Sequence, residues 1–246
     1  MRRIAPDEEA LYAEAAAEFT RIVAEAAGGA GACSVALAGG STPRGLYRLL
    51  ADRTEPFHAR LPWDRIHFFF GDERHVPLDH AESNYRMARD AMLAAAPVPP
   101  DHVHRIRGEA EDAATAAAEY EQELRRHFGT ASAGLPRFDL VLLGMGADGH
   151  TASLFPGSPA LRETRRWAVA VRRPDDPFDG VTLTPPVFNH AAHVVFLVAG
   201  VAKAAAVQQA IEGDEPPELL PSRAIRPLHG TLLWLLDREA AALLKR

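Results

Sequence analysis

Ser34-Val35-Ala36-Leu37-Ala38-Gly39-Gly40-Ser41-Thr42-Pro43 is the stretch that decides how this chain is read. A short apolar run closed by two glycines reads as a buried strand. Thr42-Pro43 then opens a helix running to Leu50, because threonine caps well and proline suits the first helical position. A buried strand that turns through glycines into a helix is one βα unit, and the rest of the sequence decides whether that unit recurs.

It recurs. Upstream, residues 7–27 are alanine-rich, with Leu11, Ala15, Phe19, Ile22 and Val23 near helical spacing and Gly28-Gly29 at the end, which predicts an amphipathic helix. Downstream, the pattern predicts a strand over 66–70, helices over 83–93 and 109–128, and a strand over 138–143 that runs into glycines. Residues 167–171, 181–183 and 193–198 are further strand candidates. A helix over 201–211, a strand over 232–236 and a C-terminal helix complete the chain. Strands alternating with helices imply an α/β fold: a single open, mainly parallel sheet with helices on both faces. Prolines at 97, 99, 100, 216, 217 and 221 punctuate loops. With no repeat, long linker or low-complexity tract, residues 1–246 read as one domain.

Bulk composition narrows the function classes. The 246 residues are 47% hydrophobic and 24% charged, ordinary for a soluble enzyme, and suffice for a sizeable core. A net charge of −6 argues against a nucleic-acid partner, whose phosphates demand clustered positive charge. Any bound anion must therefore be held by a local site. The single cysteine, Cys33, excludes an internal disulfide and reads as a small buried hydrophobe. Met1-Arg2-Arg3 followed by acidic residues lacks the apolar core of a signal peptide, and no stretch approaches the ~20 apolar residues of a membrane span. A cytoplasmic location with neither membrane nor obligatory protein partner is the expectation.

Open α/β sheets bind ligands outside the carboxyl ends of their strands, so residues just after each strand carry the chemistry. Gly39, Gly40, Ser41 and Thr42 supply close backbone approach, two hydroxyls and the free amides of a following helix, which suits an anion such as phosphate. The alternative is a plain strand-to-helix turn. A Walker loop is excluded, because the required lysine is missing. After the Phe-rich strand come Asp72, Glu73 and Arg74. Arg74 can hold an anionic oxygen through its planar fork, while Asp72 and Glu73 can bind hydroxyls or fix Arg74; a solvated turn is the other reading. Gly144-Met145-Gly146-Ala147-Asp148-Gly149 matches the dinucleotide fingerprint, but Pro156, Gly157 and Pro159 leave no room for the long helix a cofactor needs, so none is expected. The loop instead presents Asp148 and His150, a carboxylate–imidazole pair suited to taking a proton from water, or a histidine that merely caps a turn. Lys203 sits in a first helical turn, which a helix dipole disfavours unless an anion is bound there. The remaining histidines show no ligand spacing such as H-E-x-x-H; His75 and His80 stay candidate ligands, but no metal is expected. Together these strand ends point to a phosphorylated small molecule.

The same residues resemble the glucosamine-6-phosphate isomerase/6-phosphogluconolactonase family. The resemblance runs through Gly39–Pro43, Phe70–Arg74 with Ser83-Asn84, residues 144–156, Val181-Thr182-Leu183-Thr184 and the segment from Phe196 to Lys203-Ala204. It implies a Rossmann-like fold shared with glucosamine-6-phosphate deaminases. Those deaminases carry Asn-Glu-Pro after the loop histidine. This chain has Ser153-Leu154-Phe155-Pro156 instead, which favours a lactonase. The implied activity is hydrolysis of 6-phospho-D-glucono-1,5-lactone, the second step of the oxidative pentose phosphate pathway, without a cofactor. In that reading His150 is the general base and Asp148 orients it. Gly40, Ser41, Thr42 and Lys203 hold phosphate, and Arg74 contacts phosphate or the lactone end. The alternatives are a glucosamine-6-phosphate deaminase/isomerase and a non-catalytic sugar-phosphate-binding module. One departure stands out: the family carries an arginine where this chain has Gly180, and if that arginine clamps phosphate, either Arg172 or Arg173 replaces it or binding is weaker.

Overall fold

The structure, a computed structural model, describes residues 1–129, 134–172 and 177–245. In chain order the strands are β1 (Arg2–Ala5), β2 (Cys33–Leu37), β3 (Ile66–Phe70), β4 (Asp72–Arg74), β5 (Leu140–Leu143), β6 (Ala168–Arg172), β7 (Asp179–Leu183), β8 (His193–Val198) and β9 (Thr231–Asp237). The α-helices are α1 (Glu8–Ala30), α2 (Ser41–Ala51), α3 (Pro56–Arg60), α4 (Asn84–Ala88), α5 (Ala113–Phe128), α6 (Pro185–His190) and α7 (Ala204–Glu212). Six strands form one sheet in the order β1-β9-β8-β5-β2-β3, and every neighbouring pair is parallel. This is the open parallel sheet that the alternating pattern predicts.

Burial follows from covering both faces. Every residue of β2 and β5 is buried, as expected for central parallel strands. In β3, successive side chains point to opposite faces. Phe69 meets Phe128 of α5 and Phe138 on one side, whereas Phe68 meets Trp63 and Phe70 meets Tyr85 on the other. Fully burying each such ring contributes about 1.5–3 kcal/mol. Cys33 is buried in β2 as expected, and burial pushes its thiol up, so it is not an accessible nucleophile. Among the described residues, no helix is long and apolar enough to cross a membrane.

The expected single sheet gains a companion. Strands β4, β7 and β6 pair antiparallel in a separate three-stranded sheet. Gly71 is the seam: its N–H donates to Leu37 of β2 at 2.9 Å, and its carbonyl accepts from Leu183 of β7 at 2.9 Å. Segments 167–171 and 181–183 thus form strands, but in this smaller sheet. Their sequence held a weak signal, since β6 alternates buried and exposed residues at its end where the main-sheet strands do not. Pairing partner and direction are not encoded in an apolar run.

Several boundaries also move. β1 had no anticipated strand; it pairs with β9 at the sheet edge. α1 passes through Gly28-Gly29 and stops at Gly31, whose left-handed φ of 82° suits glycine at a helix end. The cap of α2 is Gly40 and not Thr42, which lies inside the helix. The 83–93 helix is α4 followed by a π-helical turn over Arg89–Leu93. Among the described residues no C-terminal helix follows β9; residues 238–243 run in turns, because Asp237 accepts from the amide of Ala240 and bends the chain back.

Candidate active site

The chain leaves β2 for β3 on one side and reaches β5 on the other side of β2. Their carboxyl ends therefore diverge, and such a switch point opens a crevice. A cleft of about 220 Å³ lies there, lined by Gly39, Gly40, Ser41, Thr42, Asp72, Arg74, Gly144, Gly146, His150 and Lys203, among others. The four strand ends singled out in the sequence meet in this one space.

The first wall is a helix start without a side-chain cap. Gly40 has φ 104°, a conformation that side chains resist, and no side chain hydrogen-bonds the first amides of α2. Ser41 and Thr42 add hydroxyls at the same spot. Across the cleft, Lys203 is held by the turn at Gly200, whose N–H donates to both oxygens of buried Asp237 at 3.1 and 3.0 Å. Lys203 has no ion-pair partner among the described residues. A helix N-terminus and an unpaired ammonium on one cleft suit an anion.

The second wall is the glycine loop after β5. Asp148 Oδ1 lies 2.5 Å from His150 Nδ1 and accepts the His150 backbone N–H at 3.2 Å. An ionised carboxylate only accepts, so the shared proton belongs to Nδ1 and Nε2 keeps its lone pair. Partial burial pushes the Asp148 carboxyl up. The charge and hydrogen bonds of His150 outweigh that push and hold it below the usual carboxylate range. The loop is tightly wound. The Gly146 N–H donates to the His150 carbonyl at 2.9 Å, Thr151 Oγ1 donates to the Gly144 carbonyl at 2.8 Å, and Ala152 adopts φ 47°. Strain of that kind in a non-glycine residue is characteristic of functional loops.

The third wall separates three acidic and basic neighbours that sequence reading grouped together. Asp72 lines the cleft; its Oδ2 accepts from Ser153 Oγ at 2.7 Å and its Oδ1 from Asn84 Nδ2 at 3.2 Å. Burial pushes its carboxyl up, opposed by Ser153, Arg74 and His150. Arg74 also lines the cleft, with Nη1 shared between the Glu82 carbonyl at 2.8 Å and the Glu82 carboxylate at 3.1 Å. Glu73 is not among the residues lining the cleft, and its substrate-binding assignment is corrected. It is 2% exposed and accepts the backbone N–H groups of Arg74, Asn84 and Tyr85 and the Ser83 hydroxyl, at 2.7–3.0 Å. Its work is to clamp the start of α4 onto β4. Burial pushes its carboxyl up to about 7, and those four bonds pull the other way. In Glu73→Gln one carboxamide must aim N–H₂ at a backbone N–H. Leaving a buried donor unsatisfied costs about 1–3 kcal/mol, so thermal unfolding of E73Q is expected at a clearly lower temperature. An unchanged Tm would contradict the clamp.

Two further expectations resolve here. Arg172 pairs with Asp179 at 3.4 Å on the surface and does not line the cleft, so it does not replace the arginine absent at Gly180; Arg173 lies outside the described residues. Gly180 itself borders a small annex of about 40 Å³ that shares Asp72, Arg74 and His150 with the main cleft. Asn84 and Ser153, which orient Asp72, were not singled out as site residues. Both belong to the quoted motifs, but only the fold places them on the same carboxylate. Gly39 is explained too, because a Cβ there would lie 2.0 Å from Asn84 Oδ1.

Comparison with known proteins agrees with this geometry. The family model for glucosamine-6-phosphate isomerases/6-phosphogluconolactonase matches residues 6–234. A 6-phosphogluconolactonase of Synechocystis sp. is 42% identical over 222 residues, covering 90% of this chain and 87% of that protein. The structure of 6-phosphogluconolactonase from Trypanosoma cruzi superposes with a TM-score of 0.84 at 34% identity, over 100% of this chain and 97% of the other. A monomeric glucosamine-6-phosphate deaminase shares the fold with a TM-score of 0.79 at 24% identity, over 99% of this chain and 98% of that one.

Proposed function

Because the chain belongs to the family of glucosamine-6-phosphate isomerases and 6-phosphogluconolactonase, we propose that it hydrolyses 6-phospho-D-glucono-1,5-lactone to 6-phospho-D-gluconate, a step of the pentose phosphate pathway. The observation that carries this reading is the sharing of one cleft by a carboxylate-oriented imidazole and an anion cradle. A lactone phosphorylated at its far end needs both.

In the proposed path His150 Nε2 takes a proton from water as the water oxygen attacks the lactone carbonyl. In this reading Arg74 stabilises the negative charge that develops on the carbonyl oxygen. Breaking the bond to the ring oxygen opens the lactone, and the imidazolium returns its proton to that oxygen. Asp148 holds the imidazole in the required tautomer and balances its positive charge. The Gly40–Thr42 turn and Lys203 grip the phosphate, which fixes the carbonyl beside the base. Asp72 and its partners Asn84 and Ser153 face the sugar hydroxyls.

The direct test is to mix the protein with freshly generated 6-phosphogluconolactone and follow acid release against the spontaneous rate. No acceleration, or ammonia released from glucosamine 6-phosphate instead, would overturn the reading. Lys203→Ala separates the phosphate grip from the chemistry. It is expected to raise KM for the phosphorylated lactone by about tenfold, the scale of one charge-assisted hydrogen bond, with kcat little changed. An equal effect on unphosphorylated gluconolactone would remove Lys203 from the phosphate site.

A further inference from the structure

Away from the cleft, three histidines distant in sequence converge. His67 lies in edge strand β3, His104 follows the bridge that Val103 makes with Phe68, and His127 lies in the last turn of α5. Each offers one ligand nitrogen, and those atoms lie within 4.8 Å of one another. His67 Nδ1 and His104 Nε2 are 3.0 Å apart. Tetrahedral zinc with bonds of about 2.0–2.1 Å sets its ligand nitrogens roughly 3.3 Å apart, so small side-chain rotations suffice. We propose that His67, His104 and His127 form a binding site for a borderline divalent transition metal such as Zn²⁺.

Three features beyond proximity support the site. The Nδ1 of His104 lies 2.7 Å from Glu123 Oε1, a carboxylate partner that fixes the tautomer and leaves Nε2 with its lone pair. Metal-bound histidines are held in the same way in known sites. Phe69 stacks on His104 at 4.3 Å between centroids and 7° between planes, so that ring is already positioned. His102 stacks on His67 at 3.9 Å, and its Nδ1 is buried with no hydrogen-bond partner among the described residues. The metal would take the place of the proton that His67 shares with His104, while His67 moves its ring proton to Nε2. No net proton is lost.

The ion joins β3, the 103–104 loop and the end of α5. None of the three histidines is among the residues lining the cleft. The site therefore serves structure and not hydrolysis. Three imidazoles with no thiolate suit zinc, copper or nickel and disfavour calcium and magnesium.

Isothermal titration of the whole protein with Zn²⁺ tests this, with three variants beside it. The wild type is expected to bind one ion per chain and to unfold at higher temperature with Zn²⁺ than without. The double variant His67→Gln/His127→Gln, which keeps side-chain bulk, is expected to lose about a hundredfold or more in affinity while circular dichroism shows an intact fold. Glu123→Gln is expected to lose about tenfold, the scale of such outer partners. His150→Ala, with the cleft imidazole removed, is expected to bind Zn²⁺ as the wild type does. No binding at micromolar Zn²⁺, or binding that survives the double variant or disappears in H150A, overturns the site and leaves the cluster as aromatic packing against Phe69.

Discussion

Replacing His150 with alanine is expected to lower kcat for 6-phosphogluconolactone by about 10²–10⁴-fold, the contribution of a positioned general base. His150 is the only imidazole among the described residues that lines the cleft, and Asp148 is not among the residues lining it. The rest of the site is untouched by the change. The side chain is about one-quarter exposed and lies outside the hydrophobic core, so Tm is expected to move little. KM is also expected to move little, because the residues proposed to hold the phosphate are unchanged. Stopped measurements against the spontaneous rate, together with circular dichroism, separate these outcomes. Near-normal turnover in H150A would remove His150 from the mechanism.

The second large effect is expected from a residue with no functional group. A Cβ at Gly146 would lie 2.1 Å from His150 Nδ1 and 2.4 Å from Asp148 Oδ1. Gly146→Ala must therefore push the imidazole or the carboxylate aside. The displaced atoms are side-chain ends, so the fold yields cheaply, and Gly146 does not need a positive φ. What yields, however, is the dyad. A misplacement of about 1 Å in a catalytic group costs on the order of 10²-fold. G146A is expected to lose about that much in kcat, with binding of the phosphorylated product and Tm close to wild type. Wild-type kcat in G146A would mean that the 2.5 Å His150–Asp148 contact is not what orients the base. A large fall in Tm would assign the glycine to folding instead.

These two variants show how unevenly the site could be read in advance. His150 and Asp148 were visible because their loop follows an apolar run and two glycines, and because proline at 156 rules out the cofactor helix. Gly40 to Thr42 were visible for the same local reason. Glu73 was misread: three adjacent charged residues at a strand end look equivalent, yet alternation along β4 sends Asp72 to the cleft and Glu73 inward to the amides of α4. Nothing local distinguishes the two carboxylates.

The sequence by itself determined the βα repetition, the parallel sheet, the glycine turn into α2 and the carboxylate–imidazole loop. Each depends on neighbours within a few residues, where hydrophobic period, capping and glycine geometry act directly. Only the tertiary structure decided the rest. The antiparallel sheet, the turn of Glu73 away from the cleft, the service of Asn84 and Ser153 to Asp72, and the meeting of His67, His104 and His127 all join residues from 7 up to 110 positions apart. Such pairings are set by strand register and by packing of both sheet faces, and those are properties of the whole core and not of any single segment.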